Sequence, residues 1–182
     1  MKNKILKKII GIFGYRLIEK RLFKNNRTLS KHTSFNIKKI LEAIFANNKI
    51  EELIQIGAND GVSFDELNFF IKKYKTKSLL VEPIKNNFNL LKENYKDSNN
   101  ISFENSAISI NNEISYLYKV NPKYIHKYGS HIPAIPSFNK NHLINHGVKN
   151  KHIVFEKVVS LSILDLINKH KFNTLDLLFI DC

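Results

Sequence analysis

Two apolar runs of strand length, each closing on a chemically useful residue, constrain this chain more than any other feature. Ile50 to Ile56 runs into a turn, Gly57 to Gly61, and then into a helical pattern carrying Leu67, Phe70 and Ile71. A second apolar run, Ser78 to Val81, follows and stops at Glu82. Parallel strands need a crossover long enough to hold a helix, and strand, turn, helix, strand is the smallest such unit. The alternation continues with a helix carrying Phe88, Leu91 and Tyr95, a strand at 101–104, an extended piece at 113–120 and an irregular stretch holding Pro122, Pro133 and Pro136. A strand at 152–159, a helix at 161–168 and a buried strand at 175–180, ending in Asp181, complete the pattern. Upstream, Thr33 or Ser34 stands where it can cap a helix in which Ile37, Ile40, Leu41, Ile44 and Phe45 recur at helical spacing. The expectation is an α/β fold, a mainly parallel three-layer sheet with right-handed crossovers.

Charge divides the chain. The net charge is +13, yet residues 1–50 hold thirteen Lys or Arg against only Glu19 and Glu42, so the rest of the chain is nearly neutral. Residues 4–23 place Ile5, Ile9, Ile12 or Phe13, and Leu17 near helical spacing, with Lys and Arg on the other faces. That pattern reads as a basic amphipathic arm, residues 1–33, preceding a domain at 34–182. The longest apolar run of the arm, Ile9 to Tyr15, is interrupted by Gly11 and Gly14 and falls far below the roughly 20 residues a membrane span requires. A plain packed helix with a solvated basic face is the first reading of this arm, with peripheral contact at an anionic inner-membrane surface as the second. A signal peptide is disfavoured because Arg16 breaks the apolar stretch and no small-residue cleavage site follows. The lone cysteine, Cys182, rules out an internal disulfide, which suits a reducing, cytoplasmic location. Nucleic acid is not an expected partner, since the basic arm carries no recognised nucleic-acid motif.

In open parallel sheets, ligands bind at the carboxyl ends of the strands. Four such places hold informative residues: Gly57 to Gly61, Glu82, the stretch Glu104 to Ser109, and Asp181. Gly57 and Gly61 permit a tight turn close to a ligand, Glu82 can accept hydrogen bonds from a ribose diol, and the small Ala107 leaves room for a flat ring. A dinucleotide fingerprint needs glycine where this chain has Asn59 and Val62. Asp60 and Asp65 would also repel a pyrophosphate and favour an ammonium group. S-adenosylmethionine has that character.

The segments IQIGANDGVSFDEL, LLVEPIKNNFNLLKENY, ISFENSAIS, PSFNKNHL, VVSLSILDLI and LDLLFIDC, in that order, resemble the FkbM-type methyltransferases from about residue 50 to the end. The resemblance implies a Rossmann-like class I methyltransferase fold, S-adenosyl-L-methionine as cofactor, and O-methylation of a hydroxyl on a sugar, glycan precursor or other small metabolite. It places Gly57, Ala58, Asn59 and Gly61 in the cofactor loop and makes Glu82 the ribose acid. Ile84 would pack on the adenine face, with Asn105, Ser106 and Ala107 at the adenine edge. Asp181 corresponds to the acid of an I-D-x-E-G motif, and the chain stops at Cys182, before the expected Glu-Gly. The expectation is therefore a methyltransferase domain truncated after its fourth core strand.

For the proton of an acceptor hydroxyl, Asp181 is the first candidate base, with His126 and His131 of the Pro-containing loop as alternatives. His142 and His146 have a spacing that suits a metal, but no third ligand is indicated, so no metal is expected. Two other function classes stay open: a nicotinamide-dependent oxidoreductase, which would keep the fold and Glu82, and a non-catalytic binding module left by truncation.

Overall fold

The computed structural model describes residues 36–110, 113–172 and 174–181. The arm at 1–33 and the capping residues Thr33 and Ser34 lie outside them, and Lys38 onward forms one compact unit. The described chain begins with helix α1 (Ile37–Asn47), which buries Leu41 and Phe45. Strand β1 (Glu52–Ile56), helix α2 (Asn68–Tyr74) and strand β2 (Lys77–Val81) then form the first βαβ unit. Helix α3 (Lys85–Asn94) leads to β3 (Ile101–Glu104), and α5 (Ile163–Lys169) precedes β7 (Leu177–Ile180). These strands form a four-stranded parallel sheet in the order β3-β2-β1-β7. Its register aligns Ile56 with Val81 on one side and with Ile180 on the other, so three strand ends lie side by side.

The strand pleat sorts the core into two layers. Ile54, Ile56, Leu79 and Val81 face Leu166 of α5. The alternate residues face the other way, towards α1, α2 and α3. There Phe45 stacks on Phe70 at 5.1 Å, and Phe88 meets Phe103 edge-on at 6.5 Å. Right-handed crossovers explain the segregation: the chain advances from β1 to β3 in one direction, keeping α2 and α3 on one face. Strand β7 enters on the opposite side of β1, so its preceding helix falls on the other face. The expected three-layer, mainly parallel arrangement is thus present.

One part differs from the simple alternation. Strands β5 (Ile114–Val120) and β6 (Ile153–Leu161) pair antiparallel over their full length, and the short β4 (Ala107–Ile108) joins β6 in parallel, making a separate three-stranded sheet. Between β5 and β6 lie the short α4 (Lys140–Asn145) and three 3-10 turns, gathered around Val120, Ile132, Leu143 and Val148. His152, expected in the following strand, belongs to the last of these turns. It is buried, stacked on Tyr124 at 4.0 Å, and its Nδ1 lies 2.6 Å from the Tyr128 hydroxyl. That hydroxyl also accepts from Lys149 N–H at 3.0 Å. Among the described residues no helix is long and apolar enough to cross a membrane.

Candidate functional site

The glycine loop closes directly over the end of β2. Backbone N–H groups of Gly57 and Ala58 both donate to Val81 O at 3.0 Å, and Gly61 N–H returns to Ala58 O at 2.8 Å. Gly57, Asn59 and Gly61 all adopt positive φ, at 83°, 50° and 74°. These are conformations that glycine takes freely and asparagine tolerates. Gly61 is also required by space: a Cβ there would stand 2.6 Å from Leu91 Cδ1 and 2.6 Å from Tyr95 Cε2, both fully buried.

Asn59 is the joint between the loop and the acid. Its N–H donates to Glu82 Oε2 at 3.0 Å, while Ile84 N–H donates to Glu82 Oε1 at 2.8 Å. Its side chain bridges onward, accepting from Asn87 Nδ2 at 2.8 Å and donating to Ser63 O at 3.1 Å. Glu82 is only 5% exposed, and burial pushes its carboxyl up to about 7 despite the two N–H donors. Each carboxylate oxygen uses one lone pair on those donors, so each keeps acceptor capacity for a hydroxyl. Behind it, Glu156 of β6 accepts from Lys85 N–H at 2.9 Å and pairs with Lys119. Its charge is also felt at Glu82, where it opposes ionisation.

The residues after β3 meet the same place. Asn105 Nδ2 donates to Glu82 O at 2.8 Å and to Pro83 O at 3.1 Å, which locks the two strand ends together. Ser106 is fully buried, and its hydroxyl has no hydrogen-bond partner among the described residues. Such a group in a native fold calls for an explanation, and a missing ligand atom is one. Ile84 and Ala107 are buried together with Leu117 and Val158, forming the apolar wall beneath this end of the sheet.

The N–H groups that open the first crossover are already occupied by carboxylates. Asp60 Oδ1 accepts from Val62 N–H at 2.9 Å and Ser63 N–H at 2.6 Å. Asp65 Oδ1 accepts from Leu67 N–H at 2.9 Å and Asn68 N–H at 3.3 Å. A pyrophosphate would need those donors and would meet two negative charges in their place. The expectation drawn from Asn59 and Val62 therefore gains a physical reason.

Asp181 follows β7, and its N–H donates to Ile56 O at 2.9 Å, which sets it beside the start of the glycine loop; its charge is felt at Asp65. His126 and His131 lie exposed in the 3-10 turns after β5, and no described contact joins either to the loop, to Glu82 or to Asp181. The His131 ring instead approaches His146 at 6.4 Å, and His142 lies 4.7 Å from His146. Among the described residues no group of three or more His, Cys, Asp or Glu is placed to hold a metal ion. A shallow concavity of about 480 Å³ flanks α3 and β3, lined by Asn89, Lys92, Tyr95 and Phe103, and includes none of the loop residues.

Three participants escape a reading by strand ends. Gln55 lies within β1 rather than at its end, Asn87 sits in the first turn of α3, and Glu156 comes from the antiparallel hairpin. Only Gln55 leaves a trace in the pattern, as a polar residue inside the otherwise apolar run LIQI.

The family model described as the methyltransferase FkbM domain matches residues 55–182, from within β1 to the last residue. This chain belongs to the FkbM methyltransferase family. It carries a methyltransferase domain, and the glycine loop, Glu82 and the Asp181 strand end all fall inside the matched span. Among curated proteins, none matches the chain.

Proposed function

We propose that this FkbM-family chain is an S-adenosyl-L-methionine-dependent O-methyltransferase acting on a hydroxyl of a sugar, a glycan precursor or a small metabolite. The observation that carries the reading is Glu82, whose carboxylate is held at the end of β2 by Asn59 N–H and Ile84 N–H with acceptor capacity left on both oxygens. A ribose diol supplies the two hydroxyl donors that such a carboxylate can accept. The fully buried, unpartnered Ser106 hydroxyl fits the polar edge of an adenine, and the carboxylate-capped crossover fits a cationic ligand rather than a phosphorylated one.

When bound, the methyl donor supplies an electrophilic methyl group on a positively charged sulfur. The residues of the chain position and exclude. Gly57 to Gly61 keep the backbone low over the strand ends, so that a ligand can lie close to it. Asp181 is exposed beside that loop, where it can accept the hydroxyl proton as the acceptor oxygen attacks in line. His126 and His131 are the less direct alternatives for that proton. The basic arm would hold the domain at an anionic, cytoplasmic membrane surface where glycan precursors are handled.

The test is transfer of isotope-labelled methyl groups to a panel of sugars and glycan precursors. Label that survives mild alkali is an ether on a hydroxyl, as the reading predicts. Alkali-labile label would mean an ester and a carboxylate acceptor. Binding of NADH, followed by its fluorescence, without binding of S-adenosylhomocysteine would replace the methyl-donor reading with the oxidoreductase one.

A further inference from the structure

Phe64 is 60% exposed and adopts a φ of 61°. The other non-glycine residues with positive φ among the described ones have a local reason. Lys75 is the C-cap of α2 and Lys171 follows the C-cap of α5, where left-handed backbone is common. Asn59 belongs to a residue type that tolerates it. Phe64 ends no helix and is bulky, so its backbone is a genuine outlier, and such outliers persist only where the surroundings over-determine them.

The surroundings do so here. On one side Ser63 is fixed to Asp60, through its N–H to Oδ1 at 2.6 Å and its hydroxyl to Oδ2 at 2.7 Å, and its carbonyl accepts from Asn59 Nδ2 at 3.1 Å. On the other side Asp65 Oδ1 accepts from Gln55 Nε2 at 3.1 Å and from the N–H groups of Leu67 and Asn68. Phe64 turns the chain between these two anchored carboxylates. Glycine or asparagine would make that turn with less strain. An exposed aromatic residue is ordinary by itself, but this one keeps its ring in solvent at a cost in stability. Val62, 55% exposed, adds a second apolar side chain to the same turn.

Position gives the ring a use. The next residue, Asp65, is tied to β1 through Gln55, and its charge interacts with that of Asp181, the proton acceptor in the reading above. The turn therefore borders the strand ends where the acceptor hydroxyl has to sit for in-line attack. An apolar ring face beside carboxylates suits a molecule with one C–H face and hydroxyl donors around its rim. A pyranose has both. A phosphate lacks the apolar face, and an aliphatic chain lacks the hydroxyl rim.

We infer that Phe64, with Val62 beside it, is the platform on which the sugar ring of the acceptor stacks, which makes Phe64 a specificity-determining residue for the transfer. The inference rests on the O-methyltransferase reading above and adds to it the residue that selects a sugar among hydroxyl acceptors.

The variants are Phe64→Asn, which removes the ring and suits the left-handed backbone, and Phe64→Trp, which keeps an aromatic face. The probes are the methyl pyranosides of glucose, galactose, mannose and rhamnose, titrated by saturation-transfer NMR into the full chain with S-adenosylhomocysteine present. At least one pyranoside should receive saturation, strongest at the C–H protons of one ring face. Phe64→Asn should weaken binding of that sugar by about tenfold, the worth of one partly buried apolar side chain, and Phe64→Trp should retain it. Both variants should bind S-adenosylhomocysteine within about twofold of the wild type. Phe64→Asn should also unfold at a higher denaturant concentration than the wild type, which separates loss of the sugar from damage to the fold. Sugar binding that Phe64→Asn leaves unchanged, or that falls together with S-adenosylhomocysteine affinity, overturns the inference, as does equal loss in Phe64→Asn and Phe64→Trp. A Phe64→Asn chain less stable than the wild type overturns it as well, because the ring would then serve the fold. Wild-type protein that binds S-adenosylhomocysteine and none of the pyranosides overturns it, yet leaves the methyl-donor reading standing. Wild-type protein that does not bind S-adenosylhomocysteine overturns that reading, and this inference with it.

Discussion

Asn59 N–H donates to Glu82 Oε2 at 3.0 Å, so the acid at the end of one strand also closes the glycine turn that leaves its neighbour. The two features that stand out in the sequence are thereby one mechanical unit. A change at either residue is therefore felt at the other.

The titration of Glu82 makes ligand binding pH-dependent. Its carboxyl sits at about 7, raised from 4.5 by burial, so in the free protein it is protonated in the lower part of the range. A raised carboxyl favours the neutral form in the fold, so this group's contribution to stability is full below about 4.5 and is lost as pH rises through about 7. Ribose hydroxyls favour the ionised form, and binding therefore expels the proton. The affinity for S-adenosylhomocysteine should fall by up to tenfold per unit as pH drops below about 7, and the ligand-induced rise in Tm should be larger at about pH 8 than at about pH 5.5. Glu82→Gln should flatten that dependence. A pH-independent affinity in the wild type would contradict the assignment.

Two glycines with similar φ should respond very differently to a methyl group. Gly61, at +74°, faces Leu91 and Tyr95 at 2.6 Å, whereas Gly147, at +85°, has nothing within 4 Å. Gly147→Ala should cost only the left-handed strain, about 1 to 2 kcal/mol. Gly61→Ala adds overpacking of about 1 to 3 kcal/mol to that strain. Denaturant unfolding of the two variants measures the difference, and equal losses would mean that the cradle around Gly61 yields easily.

The β5–β6 connection carries a titrating anchor of the opposite sign. His152 is held below its usual 6.5 by burial and by the charges of Lys127, Lys151 and Lys149, and its Nδ1 lies 2.6 Å from the Tyr128 hydroxyl. A depressed histidine stabilises the fold above 6.5 and loses that contribution as pH falls below it. Proteolysis of the 122–152 segment should accelerate below about pH 6.5, and Tyr128→Phe should bring the same sensitivity to neutral pH. The segment staying equally protected at about pH 5 would place the anchor elsewhere.

The basic arm predicts a membrane effect separable from the chemistry. The full chain should sediment with phosphatidylglycerol-containing vesicles and not with pure phosphatidylcholine, and about 0.5 M salt should release it, since that shortens the screening length to a few ångströms. Protein lacking residues 1–24 should lose the association and keep its affinity for S-adenosylhomocysteine. Retained association would assign the contact to the domain itself.

The local pattern carries the four-stranded half of the fold well. Ile54, Ile56, Leu79 and Val81 sit in runs that are apolar on both faces, which is how parallel strands buried on both sides read. It carries the second sheet poorly. Ile114 to Val120 and Ile153 to Leu161 are recognisable as extended, but nothing local says that they pair with each other, antiparallel, across the intervening residues. His152 fails for a similar reason, since a residue next to a strand extends its pattern until stacking on Tyr124 decides otherwise. At the site, Gly57, Asn59, Gly61 and Glu82 are legible because backbone geometry and strand ends demand particular residue types. Asn87 and Glu156 act through tertiary contacts, and an asparagine in a helix or a glutamate in a strand is ordinary in isolation.

The most direct test of the account is titration of S-adenosylhomocysteine into the purified chain alongside Glu82→Ala. The account predicts saturable binding by the wild type that the substitution weakens by about 1 to 3 kcal/mol, the loss expected for a charged hydrogen-bond partner. Absence of binding by the folded wild-type chain, or an affinity that Glu82→Ala leaves unchanged, would contradict it.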